Sequence, residues 1–277
     1  MSAWEKVRTT LEAAHIPGAA DEAREIVAAA GMQGGSEAYA LEMAEQRANG
    51  TPLAYLVRKQ KFMGVEMYVD PGAIVPREET ELLGRTASRV LRETNAMRVI
   101  DLCCGSGNLA CALATAFRDV VFWASDLTEG CVRVSRQNVR KLGLEARVHV
   151  RQGDLFAGLT GLALEGTIDA IVCNPPYISS GRLGKDRAVL LEHEPREAFD
   201  GGPFGLSIHQ RVVREAPVYL KPGGWLLFEI GLGQHKQVKT LFDRTRSYGD
   251  VQMECDAEGN PRVLYASRRA EPTFKTT

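Results

Sequence analysis

Residues 174–177, Asn-Pro-Pro-Tyr, carry groups that could hold a flat nitrogen group. They follow an apolar run at residues 169–173, which predicts a buried strand that ends at the asparagine. The Asn174 side-chain oxygen and the Pro175 carbonyl can each accept one N–H of a planar NH2 group. Tyr177 can lie on the face of that group, and Pro175 and Pro176 stiffen the loop because each fixes its own φ. The tetrapeptide therefore predicts a clamp for an NH2 group, with an ordinary proline-rich turn as the simpler alternative.

A glycine-rich turn upstream of the clamp predicts a nucleotide-binding site. An apolar run at residues 99–102 leads into Cys-Cys-Gly-Ser-Gly-Asn at residues 103–108, and an apolar helical pattern follows. Gly105 and Gly107 allow a sharp turn and a close approach to a ligand, and the N-terminus of the helix attracts a carboxylate. The third glycine of the dinucleotide fingerprint is absent, and Asp101 lies just before the turn. The pattern therefore favours a nucleoside that carries an amino acid over a pyrophosphate.

Two more predicted strands lead to acidic residues. Residues 120–125 end at Asp126, whose carboxylate would meet ribose hydroxyls, and residues 147–152 lead to Asp154. These strand ends, in this order, predict a class I S-adenosylmethionine pocket followed by the clamp, with S-adenosylhomocysteine as the product. The residues predicted to bind the cofactor are Asp101, Cys103, Gly105, Gly107, Asn108, Asp126, Leu127, Asp154, Leu155, Phe156 and Asn174. The residues predicted to form the catalytic clamp are Asn174, Pro175, Pro176 and Tyr177.

Further motifs, from about residue 47 to about residue 262, match one protein family in order and spacing. Besides the turn and the clamp they are Gly50-Thr-Pro-Leu-Ala-Tyr55, Phe62 with Gly64, Pro76-Arg-Glu-Glu-Thr-Glu81, Gly153-Asp-Leu-Phe156, Ile178, Glu194-Pro195 with Asp200-Gly-Gly202, and Glu229-Ile-Gly231 with Gln234. On these motifs the sequence resembles the glutamine N5-methyltransferases that modify peptide chain release factors. It departs from the usual family pattern at Cys103-Cys104, Glu78 and Val57-Arg58.

The resemblance implies a reaction and a partner. It implies methyl transfer from S-adenosylmethionine to the side-chain amide of the glutamine in a Gly-Gly-Gln loop of a release factor. It also implies that Phe62, Arg77 and Glu229 lie near the target pocket. A different interpretation of Arg77 is a surface ion pair with Glu79 or Glu81.

Other functions stay open at the level of sequence. The same clamp would suit the amide or amine of a small molecule, another protein, or an exocyclic base nitrogen of a nucleic acid. A net charge of −1 and a mildly acidic N-terminal part disfavour direct nucleic-acid binding. A non-catalytic cofactor-binding scaffold is disfavoured because both the turn and the clamp are intact. An N-methyltransferase acting on a release factor or on a small molecule is therefore the favoured prediction.

Composition predicts a compact enzyme of the cytoplasm. The chain has 277 residues, of which 44% are hydrophobic, enough for one large domain and a smaller one. It contains no run of about 18 apolar residues for a membrane span, and it lacks the core of a signal peptide. The six cysteines form no Cys-x-x-Cys pair and lie near no ligand-spaced histidine, so they predict small buried hydrophobes and no metal site.

The period of the apolar residues predicts an α/β fold. We expect a Rossmann-like methyltransferase sheet, mostly parallel with an antiparallel C-terminal hairpin, preceded by a small helical domain. The predicted parts are a helical bundle at residues 1–60, a β-hairpin linker at 61–76 and the S-adenosylmethionine-dependent domain at 77–277. The bundle would act as a lid or spacer, or would dock a protein substrate.

Local patterns predict the smaller elements. Helices are expected at residues 3–14, 21–30 and 36–48, and the linker hairpin is expected to turn at Asp70-Pro-Gly72. The last two strands are expected near residues 248–255 and 262–267. Residues 182–196 mix both charge signs beside the clamp, which predicts a solvated loop and a candidate specificity element. His193, His209 and His235 are expected in solvent-facing or helix-end positions.

Overall fold

Four helices begin the chain in the computed structural model, which describes residues 1–183, 191 and 193–270. Ser2 and Glu5 form a capping box at the first helix, where the Glu5 carboxylate accepts a hydrogen bond from the Ser2 amide at 2.6 Å. Val7, Leu11 and Ile26 are fully buried, so the helices share a small core of their own. The helices are α1 (Ala3–Ala13), α2 (Ala19–Met32), α3 (Glu37–Ala48) and α4 (Leu53–Val57).

The three predicted helices of this segment are confirmed within about two residues, whereas α4 was not predicted. Asn49-Gly50 and Pro52 do end α3, but Pro52 is also the residue that precedes α4. Proline suits the start of a helix because it has no N–H to leave unpaired there. The stop signal was therefore correct, and a second helix begins directly after it.

The linker hairpin lies earlier than the sequence predicted. Strand β1 (Lys59–Phe62) pairs antiparallel with β2 (Val65–Tyr68) across a two-residue turn at Met63 and Gly64. Both turn residues have positive φ, 47° and 82°, as a tight hairpin turn of this length requires. The predicted turn at residues 70–72 is wrong as a hairpin turn. Asp70 instead accepts hydrogen bonds from the Gly72 amide and from Arg133.

Seven strands form the main sheet, in the order β5-β4-β3-β6-β7-β9-β8. Strands β3 to β7 run parallel to one another, whereas β9 is antiparallel to β7 and β8 is antiparallel to β9. The predicted Rossmann-like sheet with an antiparallel C-terminal hairpin is therefore confirmed. The strands are β3 (Arg98–Leu102), β4 (Val121–Asp126), β5 (Val148–Gln152), β6 (Ile168–Cys173), β7 (Leu220–Glu229), β8 (Gln252–Cys255) and β9 (Pro261–Ser267).

Helices cover both faces of this sheet. Leu83 and Leu113 pack on one face with the strand residue Phe122, while Val212 and Phe242 pack on the other. Each fully buried side chain of this size stabilises the fold by about 1.5–3 kcal/mol before entropic costs. The helices are α5 (Thr80–Thr94), α6 (Asn108–Ala116), α7 (Glu129–Lys141), the short α8 (Ser180–Leu183), α9 (Ser207–Tyr219) and α10 (His235–Thr245).

The sheet order places several loops at one edge. β3 lies between β4 and β6 and is parallel to both, with Leu102 in register with Ser125 and Cys173. The chain leaves these three strands at the same edge, beside the end of β7. Ligands of open α/β sheets bind outside the carboxyl ends of strands at such a point, where connections run to opposite faces. The fold therefore brings the glycine turn and the clamp together.

Some sequence expectations fall beyond what the structure describes. Within residues 1–183, 191 and 193–270, no helix is both long enough and apolar enough to cross a membrane. Most of the charged loop predicted at residues 182–196 falls on 184–190 and 192, which lie outside the described residues, as do residues 271–277.

Candidate active site

A cavity of about 800 Å³ opens at the carboxyl edge of the sheet. Its size suits a ligand of nucleoside dimensions, since such pockets commonly measure about 300–1,000 Å³. It runs from the glycine turn to the clamp, so the two predicted motifs share one site. The predicted site residues that line it are Arg77, Cys103, Gly105, Asn108, Asp126, Leu127, Asp154, Leu155, Asn174, Pro175, Pro176, Tyr177 and Glu229.

Four predicted site residues do not line this cavity. Phe62 is 1% exposed and packs in the hydrophobic core, and Phe156 is 3% exposed and stacks on Tyr219 at 4.5 Å. Gly107 lies against α7, where a Cβ would overlap the Ser135 hydroxyl. Asp101 is fully buried behind the turn. The structure therefore does not bring these four residues to the surface of the cavity.

Thr80 fixes the orientation of the clamp asparagine. The Asn174 side-chain nitrogen donates a hydrogen bond to the Thr80 hydroxyl oxygen at 2.9 Å. Thr80 is 2% exposed and is the first residue of α5, so its position is set by the packing of that helix. Among the described residues, nothing donates to the Asn174 oxygen or to the Pro175 carbonyl. Both acceptors are therefore left for a ligand.

Tyr177 is held at two points. Its hydroxyl donates to the Glu229 carboxylate at 3.3 Å, and its backbone carbonyl accepts from the Gln234 side-chain nitrogen at 2.9 Å. The same Gln234 nitrogen donates to the Gly205 carbonyl at 3.2 Å, while the Gln234 oxygen accepts from the Gly231 amide at 2.9 Å. Gln234 therefore joins three loops around the tyrosine. This arrangement explains the glutamine that follows the Glu229-Ile-Gly231 motif.

Glu229 is a buried carboxyl on the cavity wall. Burial raises its pKa, and the nearby Thr80 hydroxyl, Arg262 and Tyr177 act against that rise. Its nearest cation is Arg262, at 3.8 Å, and its second oxygen has no hydrogen-bond partner in the described part of the chain. Buried polar atoms are normally satisfied, so an open oxygen at a cavity wall indicates a place for a polar ligand group.

His209 supports Glu229 from behind. Its Nε2 lies 3.0 Å from the Glu229 backbone carbonyl, and the side chain is fully buried against Phe228. Burial lowers the pKa of His209 to about 4, so the ring is neutral near pH 7. The expectation of a helix-end position is confirmed, because His209 lies in the first turn of α9. The alternative expectation, a solvent-facing side chain, is wrong for this histidine because α9 turns it into the core.

The loop of the Asp200-Gly-Gly202 motif braces the clamp. The Ile178 amide donates to the Phe199 carbonyl at 2.9 Å, and the Gly201 amide donates back to the Ile178 carbonyl at 2.8 Å. Asp200 accepts from the Ser180 hydroxyl at 2.6 Å and from the Gly202 amide at 3.0 Å. The segment after the clamp is therefore tied along its length, which agrees with the stiffness that the two prolines predict.

Arg77 has a partner that lies more than 100 residues away. Its guanidinium pairs with Glu194, which also accepts from the Val75 amide at 3.0 Å and from the Tyr55 hydroxyl at 3.4 Å. The predicted surface pair with Glu79 or Glu81 is not formed, since Glu81 instead pairs with Arg85. The Glu194-Pro195 motif therefore anchors the wall of the cavity to the segment that precedes α5.

The opposite end of the cavity has the groups that a nucleoside needs. The Gly105 amide donates to one Asp126 oxygen at 2.9 Å, and the Thr128 amide donates to the other at 3.1 Å. The Thr128 hydroxyl also donates to that second oxygen, at 3.5 Å. The oxygen that accepts from Gly105 retains a second lone pair, so Asp126 can still accept from a ribose hydroxyl. The N-terminus of α6 begins at Asn108 beside the glycine turn and favours a carboxylate. A carboxylate and a helix N-terminus in these positions are groups that S-adenosylmethionine requires, and the individual roles predicted for Asp126 and the glycine turn stay predictions.

Asp101 is buried beneath the glycine turn and contacts the start of α6. Its Oδ2 accepts a hydrogen bond from the Ala110 amide at 3.0 Å, near the start of α6. Burial raises the pKa of the Asp101 carboxyl to about 8, with the Asp126 charge adding to the effect and the Ala110 amide opposing it. A protonated carboxyl there positions the helix without placing a charge beside the cofactor end.

Asp154 forms an ion pair with Arg211 at the protein surface. Arg211 donates to both of its oxygens, at 2.9 and 3.0 Å, and half of the Asp154 side chain is exposed. The following Leu155 has a φ of 53°, an uncommon value for a residue with a side chain, and lines the cavity. The cofactor role predicted for Asp154 is consistent with this position and stays a prediction.

The cysteines are thiols in this fold. Cys104, Cys111, Cys131 and Cys173 are buried, as the sequence predicted for small hydrophobes, whereas Cys255 is exposed. A hydrogen bond with the Cys173 thiol, together with burial, raises the pKa of Cys103 well above its usual value. Over residues 1–183, 191 and 193–270, no group of three or more His, Cys, Asp or Glu side chains is placed to hold a metal ion.

Thr80, Arg262 and His209 complete the site, and residue patterns alone do not reveal their roles. Thr80 does lie in the Pro76–Glu81 motif, which was the available signal, but its contact with Asn174 spans 94 positions. Arg262 and His209 lie in elements whose apolar period predicts only packing. Hydrogen bonds between distant segments have no local pattern, so sequence reasoning could not assign these partners.

The sheet order, the strand-end carboxylates and the clamp together define a class I S-adenosylmethionine-dependent methyltransferase. The profile of the methyltransferase small domain family matches residues 81–192. The 16S rRNA N2 G1207 methyltransferase of T. thermophilus, solved with AdoMet and guanosine, aligns with a TM-score of 0.57 at 21% identity, over 76% of this chain and 50% of that one. This likeness shows the fold.

Sequence relatives identify the family within that class. A release factor glutamine methyltransferase of Moorella thermoacetica is 38% identical over 227 residues, which cover 82% of this chain and 78% of the relative. A ribosomal protein uL3 glutamine methyltransferase of Bradyrhizobium diazoefficiens is 40% identical over 194 residues, which cover 66% of this chain and 58% of the relative. The chain belongs to the release factor glutamine methyltransferase family. The resemblance inferred from its motifs is thereby confirmed.

Proposed function

We propose that this protein methylates the side-chain amide of a glutamine in a peptide chain release factor, in a Gly-Gly-Gln loop, with S-adenosylmethionine as the methyl donor. The observation that carries the proposal is the hydrogen bond from the Asn174 nitrogen to Thr80. With the nitrogen donating to Thr80, the side-chain oxygen of Asn174 faces away from Thr80. The remaining oxygen is an acceptor, which is what an incoming NH2 group requires.

The clamp acts by alignment. The Asn174 oxygen and the Pro175 carbonyl accept the two N–H groups of the target amide, so its nitrogen cannot rotate. Tyr177 lies against the flat group and is itself held by Glu229 and Gln234. An amide nitrogen is a weak nucleophile because its lone pair is delocalised into the carbonyl. Fixed geometry of this kind can lower a barrier by about 7–11 kcal/mol in favourable cases.

The cofactor end supplies the second half of the alignment. When bound, S-adenosylmethionine supplies an electrophilic methyl group on its sulfonium. Asp126 would hold the ribose, and Gly105 with the N-terminus of α6 would hold the amino-acid part. The sulfur–methyl bond would break as the target nitrogen takes the methyl group, which would release S-adenosylhomocysteine. The nitrogen would lose one proton to water, so the clamp needs no strong base.

The relatives support a protein substrate. Proteins named release factor glutamine methyltransferase match this chain at 31–38% identity over more than three quarters of its length. A second candidate substrate is ribosomal protein uL3, which is favoured by the 40% identity to a relative named for that activity. Both substrates present a primary amide to the same clamp.

Mass spectrometry tests the proposal. Purified release factor and purified ribosomal protein uL3 are incubated separately with the protein and S-adenosylmethionine, beside an Asn174→Ala variant. We expect one added methyl group on the glutamine of the Gly-Gly-Gln loop with the wild type, and almost none with the variant. Methylation of uL3 alone would favour the second candidate. No methylation of either protein, with cofactor binding intact, would contradict the proposal and favour small-molecule amides or amines.

A further inference from the structure

Two large apolar side chains are exposed to solvent at the entrance of the cavity, at the end that holds the clamp. Phe204 is 84% exposed and Leu232 is 63% exposed, and both line the cavity. Single exposed apolar residues are common on protein surfaces and need no explanation. These two differ because they border a deep site on the side where the acceptor must enter.

Gln234 keeps the two side chains on the same side of the entrance. It donates to the Gly205 carbonyl, next to Phe204, and accepts from the Gly231 amide, next to Leu232. A Cβ on Gly205 would overlap the Tyr177 carbonyl, so this loop is also packed directly on the clamp. The positions of Phe204 and Leu232 are therefore fixed relative to the clamp by hydrogen bonds, although their side chains are exposed.

Two exposed carboxylates line the same entrance. Glu79 and Glu197 are exposed, line the cavity and have no ion pair within the described part of the chain. The guanidinium groups of Arg77 and Arg262 are directed to Glu194 and Glu229. Glu79 is close enough to the target end for its charge to raise the pKa of both Tyr177 and Glu229. A partner with cationic groups would be attracted here.

We infer that Phe204, Leu232, Glu79 and Glu197 form a docking surface for the polypeptide segment that flanks the target glutamine, with apolar and basic side chains next to it. The inference rests on the proposed function and adds the chemistry of the segment that is recognised. A small amide acceptor would reach Asn174 and leave Phe204 and Leu232 in water. A polypeptide loop that enters the cavity must pass over them, and burial of exposed apolar area favours binding.

Binding of release factor to the protein tests the apolar half, in the presence of S-adenosylhomocysteine so that no reaction occurs. We expect Phe204→Ser and Leu232→Ser each to raise Kd about tenfold, because truncation of an anchoring apolar side chain commonly has an effect of this size. Cofactor affinity should not change. The matched control is Met253→Ser, since Met253 is 47% exposed on β8 and does not line the cavity.

The outcomes separate the docking surface from the proposed reaction. Equal Kd values for the wild type and both serine variants would overturn the docking surface even if the wild type methylates the release factor. Weakened binding by the variants, together with no methylation by the wild type, would support the docking surface and contradict the proposed reaction. No measurable binding by the wild type would overturn the docking surface for this partner.

Salt dependence tests the charged half. We expect Glu79→Gln and Glu197→Gln each to raise Kd about threefold at low ionic strength, and the difference to disappear at high ionic strength because salt screens exposed charges. The control is Glu258→Gln, an exposed glutamate in the turn between β8 and β9. Tighter binding by the glutamine variants would mean that the segment is acidic and would overturn the charge assignment.

Discussion

The two ends of the cavity are built in different ways. At the cofactor end, a side chain accepts from backbone amides, as when Asp126 accepts from Gly105, 21 positions away, and from Thr128, two positions away. At the target end, side chains contact side chains across long separations, as when Asn174 donates to Thr80 and Tyr177 donates to Glu229. The cofactor end is therefore built on contacts with backbone amides, and the target end on contacts between side chains.

This difference predicts different responses to mutation. A backbone amide is present whatever the side chain, so the cofactor end should tolerate the loss of single side-chain partners. The target end has buried groups with few partners, including the open oxygen of Glu229. Removal of one partner from such a network leaves another buried polar group unsatisfied, which costs about 1–3 kcal/mol.

Asn174 should show the largest effect. In Asn174→Ala one of the two proposed acceptors is lost, and we expect kcat to fall by about 10²–10³-fold, as for the loss of one preorganised hydrogen-bonding group. Asn174 is also among the residues predicted to bind the cofactor, but the contacts of Asp126 do not involve it, so we expect cofactor affinity to fall much less than kcat. Steady-state kinetics with a protein acceptor and calorimetric titration of the cofactor measure the two effects. A parallel loss of cofactor affinity would break the division between the two ends.

His209 should give the target end a pH-dependent stability. Its folded pKa of about 4 lies below the ordinary value of 6.5, so the unfolded chain binds the proton first as pH falls. The stabilisation is complete above pH 6.5 and is lost progressively toward pH 4, by about 3 kcal/mol in total. Denaturant unfolding of the wild type and His209→Gln, between pH 7 and pH 4.5, should show the wild type losing more free energy of unfolding.

Asp101 should give a pH dependence of stability with the opposite sign to that of His209. Its folded pKa of about 8 lies above the ordinary 3.8, so the folded chain retains a proton that the unfolded chain releases. Its contribution therefore falls as pH rises through that interval. Asp101→Asn should gain stability relative to the wild type as pH increases to 8. If neither variant alters the pH dependence, burial at the two ends is less complete than the structure shows.

The difference between the ends also explains what the sequence could predict. The strands, their polar ends and the glycine turn follow from apolar periods and from residue types at neighbouring positions, so Asp126 and Gly105 were placed correctly at the cavity. The clamp could be proposed from the sequence because four consecutive residues carry its chemistry. The partners of Arg77 and Asn174 were not visible, since Glu194 and Thr80 are distant in sequence. The hairpin was predicted to turn at residues 70–72 but turns at Met63 and Gly64. The proline and glycine at 71 and 72 do indicate a turn, but they do not indicate which two strands pair across it.

Thr80 should have an intermediate effect that sharpens the assignment. Thr80→Val keeps the shape of the side chain but cannot accept from Asn174, so we expect kcat to fall about tenfold, equivalent to one hydrogen bond of about 1.4 kcal/mol. Thr80→Ser keeps the hydroxyl and should restore most of the rate. A merely structural role predicts instead that both variants lose activity in proportion to their loss of stability, which thermal unfolding would measure.

Arg211 should show the smallest effect, and for that reason it tests the comparison most directly. Asp154 and Arg211 form a bidentate ion pair on the surface of the cofactor end, and their side chains are 50% and 36% exposed. Exposed pairs stabilise proteins by about 0–1 kcal/mol because water and salt screen them. We therefore expect Arg211→Gln to change the free energy of unfolding by less than about 1 kcal/mol and cofactor affinity by less than about threefold. A tenfold loss of cofactor affinity would mean that Arg211 orients Asp154 for the ligand. The cofactor end would then depend on a side-chain network as the target end does, and contacts with backbone amides would not be sufficient to build it.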